Sequence, residues 1–147
     1  MNYARLVAAA VAGTLVDAIY GVLVYGTALR GEFSRYPDVY RSAAAGAAYL
    51  PLMFLAIFLA MIMVTMIYAK GYEGKGSGAA EGMRFGALVG PFVALFFAGV
   101  SYGTLNIGRK LAAYLICAGI VEWILVGAAI GAVYRSSTAR RSARAAF

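Results

Sequence analysis

Four apolar runs, 6–29, 46–69, 82–105 and 111–134, constrain this chain more than any other feature of its sequence. Each exceeds the roughly 20 helical residues that cross a hydrocarbon core about 30 Å thick. Lipid offers backbone amides no partner, so a spanning segment must satisfy its own hydrogen bonds, and the alternation of a barrel strand is absent from all four runs. The expected fold class is therefore all-α: an integral membrane four-helix bundle, one transmembrane domain over 1–134, followed by a basic tail over 135–147. Composition agrees. Hydrophobic residues make up 63% of the chain and charged residues 13%, whereas apolar residues are roughly half of a water-soluble domain.

What the chain lacks narrows its function. It has no histidine and one cysteine, which removes the usual haem, zinc and copper ligands, the commonest general bases and any intramolecular disulfide. No enzymatic activity, catalytic residue, metal or cofactor is expected. The first run is not read as a secretory signal, because it is longer than the roughly 7–15 residues of a signal core and carries Asp17 in its middle. The glycine-rich stretch from Lys70 to Arg84 lacks the order of a phosphate-cradling loop: Lys75 is followed by Gly76, and no strand precedes it. It reads instead as a flexible turn and a helix start, with Glu81 near the positive end of the helix dipole.

An even number of spans puts both termini and the second loop on one side. That side holds Arg5, Lys70, Lys75, Arg84, Arg135, Arg140, Arg141 and Arg144, eight basic residues against the five of the other side, Arg30, Arg35, Arg41, Arg109 and Lys110. The positive-inside bias then makes both termini cytoplasmic. In the tail, Arg135, Arg140, Arg141 and Arg144 are read as lipid-headgroup contacts, worth about 1 kcal/mol each near an anionic surface, and not as a nucleic-acid site. Ten of the eleven tyrosines fall near the two boundaries, where amphipathic rings anchor. In the first loop Phe33, Tyr36 and Tyr40 recur at helical spacing around Pro37, the pattern of a short helix lying flat on the outer surface with Glu32, Arg35, Asp38 and Arg41 in water.

Helices in lipid associate by close packing across small residues, because no hydrophobic drive brings them together. The third run carries Gly78, Gly82, Gly86, Gly90, Ala94 and Ala98 at every fourth position, and the first repeats the theme with Ala9, Gly13, Asp17 and Gly21. Both are expected packing seams, within the chain or between copies. Pro91, near the middle of the third run, removes a helical hydrogen bond and is a hinge candidate. The second run, with Met53, Phe54, Phe58, Met61, Met63 and Met66, is bulky on all sides and reads as lipid-facing.

Asp17 and Glu122 are each centred between the basic residues that flank their runs, which places both at the bilayer midplane on faces of small residues. One ionised carboxylate at that depth costs on the order of 2.5–3.5 kcal/mol, and no basic residue of the sequence reaches it. The pair is a candidate proton or cation site. The plainer alternative is that both acids are neutral and hydrogen-bond across helices, with Thr14, Tyr20, Thr65, Ser101 and Trp123 as the polar groups nearest in depth.

Three stretches taken together, Tyr68-Ala-Lys-Gly-Tyr-Glu-Gly74, Glu81-Gly-Met-Arg-Phe-Gly86 and Val121-Glu-Trp123, resemble small uncharacterised bacterial four-helix integral membrane proteins, grouped as domains of unknown function. The resemblance covers most of the chain. It implies the fold and a bacterial inner (cytoplasmic) membrane, and it implies no activity and no site residue. The function expected is that of a non-enzymatic membrane protein that self-associates or serves as an accessory subunit of a larger membrane complex, in contact with membrane lipids and not with nucleic acid. The alternatives are a small proton- or cation-coupled transporter or channel working through Asp17 and Glu122, and a lipid- or pigment-binding subunit using aromatic clefts.

Overall fold

A computed structural model describes residues 2–72 and 77–135, the last without its side chain, and among them there is helix and turn but no strand. Four helices are long and apolar enough to cross a membrane. The first is compound: α1 (Tyr3–Tyr20) runs directly into a π-helical stretch (Gly21–Ala28). Two short helices, α2 (Arg30–Phe33) and α3 (Ala43–Ala47), occupy the first loop, and α4 (Leu50–Gly71), α5 (Gly78–Thr104) and α6 (Arg109–Arg135) follow. Helix starts are set by polar caps. The side chains of Asn2, Ser42 and Ser77 accept the N–H groups of Arg5, Ala45 and Ala80 at 3.3, 3.3 and 3.2 Å, each satisfying a donor that the first turn would otherwise leave unpaired. Three tail arginines, Arg140, Arg141 and Arg144, lie outside the described residues, as does the side chain of Arg135.

The hub is α6, with α5 along one side and α1 along the other, and α4 leans on α1. The α5–α6 contact follows from glycine. A Cβ at Gly82 would fall on the Gly127 carbonyl, one at Gly86 on the Trp123 carbonyl, and one at Gly131 on the Gly78 carbonyl. Further along, Gly90 lies against Trp123 and Ile120, and Gly119 against the Cβ of Ala94. Backbone therefore meets backbone over most of the seam, and Gly119, Gly127 and Gly131 of α6 are the partners of the α5 stripe. Ala98 closes its far end, buried with Ile107, Leu111, Ala112 and Leu115. Through all of this α5 remains helical, with Pro91 inside it.

On α1 only part of the expected seam forms. A Cβ at Gly13 would lie 3.1 Å from Ile130 and 3.4 Å from the Met61 sulfur, but one at Gly21 would meet nothing within 4 Å. Within this chain Gly21 packs against no neighbour. It begins the π-helical stretch, where the wider turn ends the register of fours. Nor is α4 turned outward on all sides, as its bulk suggested. Met61, Thr65 and Tyr68 form a buried stripe against Ala9, Ala10, Val126 and Ile130, whereas Leu50, Leu52, Met53, Phe54 and Leu55 at the other end are exposed. So α4 reaches α6 and α5 through its C-terminal half, where Tyr68 sits among the rings of Tyr72, Phe85 and Tyr134 with centroids 5.3–5.9 Å away.

The first loop packs against protein. It folds over the α5–α6 turn. The N–H of Gly108 donates to the Tyr36 hydroxyl at 3.0 Å, the Lys110 ammonium donates to Glu32 at 2.6 Å, and Phe33, Tyr36, Val39 and Tyr40 pack on the cluster around Leu111. The rings are covered, as their spacing implied, but by protein. The start of α6 supplies an unpaired N–H and a cation, and the loop carries an acceptor and an acid to meet them.

Candidate functional site

The compound first helix builds the site. Tyr20 and Tyr25 are five residues apart, which in an α-helix would leave their side chains about 140° apart. The i→i+5 bonding of the intervening stretch, seen also in the bond from the Leu29 N–H to the Val24 carbonyl at 2.8 Å, brings both onto the face that meets α6. There the Tyr20 hydroxyl donates to the Ala118 carbonyl at 2.9 Å, and the Tyr25 hydroxyl donates to Glu122 Oε2 at 2.8 Å. The two rings meet edge to face, 6.0 Å between centroids. They are thus held one above the other on consecutive turns of α6.

Glu122 is halfway along α6. Asp17, on α1, is near enough for its charge to act on both Glu122 and Tyr25. Both acids are half-buried, and neither has an ion-pair partner among the described residues. Asp17 takes no hydrogen bond from any described residue, so the two acids do not brace helices against each other through a direct bond. In front of Glu122 is a half-open groove of about 190 Å³, lined by Tyr25 from the first helix, Val93, Ala94 and Phe97 from α5, and Leu115, Gly119 and Trp123 from α6. Glu122 and Tyr25 are its only strongly polar groups. The arrangement can hold a proton on Glu122, or a cation against it, with Tyr25 fixing the carboxyl orientation.

Of the polar groups that sequence placed near this depth, Tyr20 and Trp123 are at the site. Thr14 instead donates to the Ala10 carbonyl of its own helix at 2.9 Å. Thr65 is fully buried on α4, and Ser101 is buried further along α5. Sequence reasoning put Tyr25 in the outer belt. The available signal was the Tyr20–Tyr25 spacing with a glycine directly after each ring, Gly21 and Gly26, which fits a π-helical face and no α-helical one. A second, wider groove of about 520 Å³ lies between the end of α4 and the start of α5, along Ile67, Tyr68, Arg84 and Leu88, away from the two acids. No family model, curated protein or solved structure matches this chain.

Proposed function

We propose that this is a multi-pass protein of the bacterial cytoplasmic membrane, both termini in the cytoplasm, that binds a proton or a cation at Glu122 and Asp17 and moves it across the bilayer. The observation that carries this is the 2.8 Å bond from Tyr25 to Glu122 halfway along α6, with Asp17 within electrostatic reach and no basic partner for either acid among the described residues. A pair kept only for packing would bond helix to helix, and Asp17 does not. Ionisable groups at this depth are costly and mark ion or proton paths by default. The π-helical stretch beside them belongs to a class of local distortion frequent at functional sites, and Pro91 on the facing helix leaves the Ala87 carbonyl without its helical donor. These two irregularities support movement on either side of Glu122.

Self-association draws no support from the α5 stripe, since α6 of the same chain fills it. Service as an accessory subunit draws on the exposed first turns of α4, a surface that acyl chains cover equally well. The deciding experiment uses the purified chain in proteoliposomes under imposed proton and monovalent-cation gradients. Saturable flux is expected in the wild type and in Gly99→Ala, whose Cβ meets open space. Glu122→Gln and Asp17→Asn should abolish it. A wild type that passes no ion under any of these gradients overturns the proposal.

A further inference from the structure

The groove in front of Glu122 says more about its occupant than that it is positive. Its walls are Val93, Ala94, Phe97, Leu115 and Trp123, and its polar groups are one carboxylate and one phenol. An anion would meet uncompensated negative charge. A bare divalent ion needs about six or more oxygen ligands, and among the described residues no three acidic or thiol side chains come together. A hydrated ion would keep its water only by pressing it against apolar walls, where its hydrogen bonds go unmet.

We propose that this groove binds a small apolar organic monocation, an ammonium with short alkyl arms, its charge on Glu122 and its alkyl groups against Trp123, Phe97 and Val93. This rests on the cation reading above and names the substrate of that site. Such an ion carries little hydration to lose and is drawn to aromatic faces as well as to the acid. Tyr25 occupies Oε2 of Glu122, and Oε1 has no hydrogen-bond partner among the described residues and is left for the ligand. Size agrees with short arms: about 190 Å³ is below the roughly 300–1,000 Å³ of pockets for drug-sized molecules. The half-open side lets an apolar cation enter from the bilayer without crossing a polar vestibule.

Trp123 is the chain's single tryptophan and lines the groove, so its fluorescence reports occupancy directly. The full chain in mild detergent is titrated with tetraethylammonium chloride, with sodium chloride at matched ionic strength as the control. A saturable change is expected from tetraethylammonium and none from sodium. Glu122→Gln should weaken binding about tenfold or more, and Phe97→Leu by a few fold. Tyr25→Phe, which keeps the carboxylate, should still bind and so separates loss of charge from loss of fold. Equal affinity in wild type and Glu122→Gln, or the same signal from sodium, overturns the inference. Proteoliposomes that pass protons or sodium through Glu122 while tetraethylammonium never binds overturn this substrate class and leave the transport reading standing. Glu122-dependent binding without flux of any ion does the reverse.

Discussion

The hydroxyl of Tyr25 is a small group with a large positional effect, because it anchors the only acid on α6 from a neighbouring helix. Tyr25→Phe removes one part-buried hydrogen bond and should lower stability in detergent by about 1 kcal/mol, read as a lower midpoint in thermal unfolding. If the midpoint is unchanged, the bond does not form in the membrane protein as purified. In the first loop, the Lys110 ammonium hydrogen-bonded to Glu32, with Arg35 adding its charge, holds the Glu32 carboxyl below its usual value. A lowered carboxyl stabilises the docked loop above its unfolded-state pKa, and that contribution is lost as pH falls through the lowered value. The protection of amides over 30–41 against hydrogen exchange, relative to their intrinsic rates, should therefore fall on acidification. Glu32→Gln should be weakly protected throughout and show no step there.

Elements repeat this dependence on local geometry. The α5–α6 seam tolerates no Cβ at Gly82, Gly86, Gly127 or Gly131, whose added atoms would land on backbone, whereas Gly99 on the same α5 faces open space. Gly86→Leu should then cost about 3 kcal/mol or more by forcing two backbones apart. Gly99→Ala should stabilise by about 1 kcal/mol through helix propensity alone. Thermal unfolding of the two variants side by side checks both, and similar midpoints would mean the seam is not where these helices touch. In the first helix, the π-helical stretch sets the direction of Tyr25. Deleting exposed Leu23 should let that stretch close as α-helix with Tyr20 and Tyr25 four residues, about 40°, apart, so that Tyr25 still faces α6. With the contact to Glu122 kept and the wide turn lost, flux should fall below that of the wild type while the helix content by circular dichroism stays the same.

For the molecule as a whole, four helices long and apolar enough to cross a membrane were legible because a bilayer asks one length and one hydrogen-bonding rule of every span. The observed ends lie within about a turn of the apolar runs, and both α5 and α6 come out as single helices. The site was half legible. Asp17 and Glu122 stand out as acids amid apolar residues, but Tyr25 looked like one more boundary ring, and Gly21 like the next member of a seam. Both readings assume 3.6 residues per turn through a segment that winds more widely. The loop poses a different question. Spacing predicts that Phe33, Tyr36 and Tyr40 are buried, but not whether lipid or the α5–α6 turn covers them.

Apolar length, the small residues of the two seams and the depth of each acid are properties of one segment at a time, and sequence by itself determined them through the periodicity of a helix in a solvent that cannot hydrogen-bond. Pairing is a relation between segments. That α5 closes on Gly119, Gly127 and Gly131, that α4 turns one stripe inward and leaves its first turns bare, and that Tyr25 reaches Glu122 were decided by tertiary structure alone. Close backbone approach and a change of helical pitch depend on which helix stands opposite, and no single run of residues encodes that.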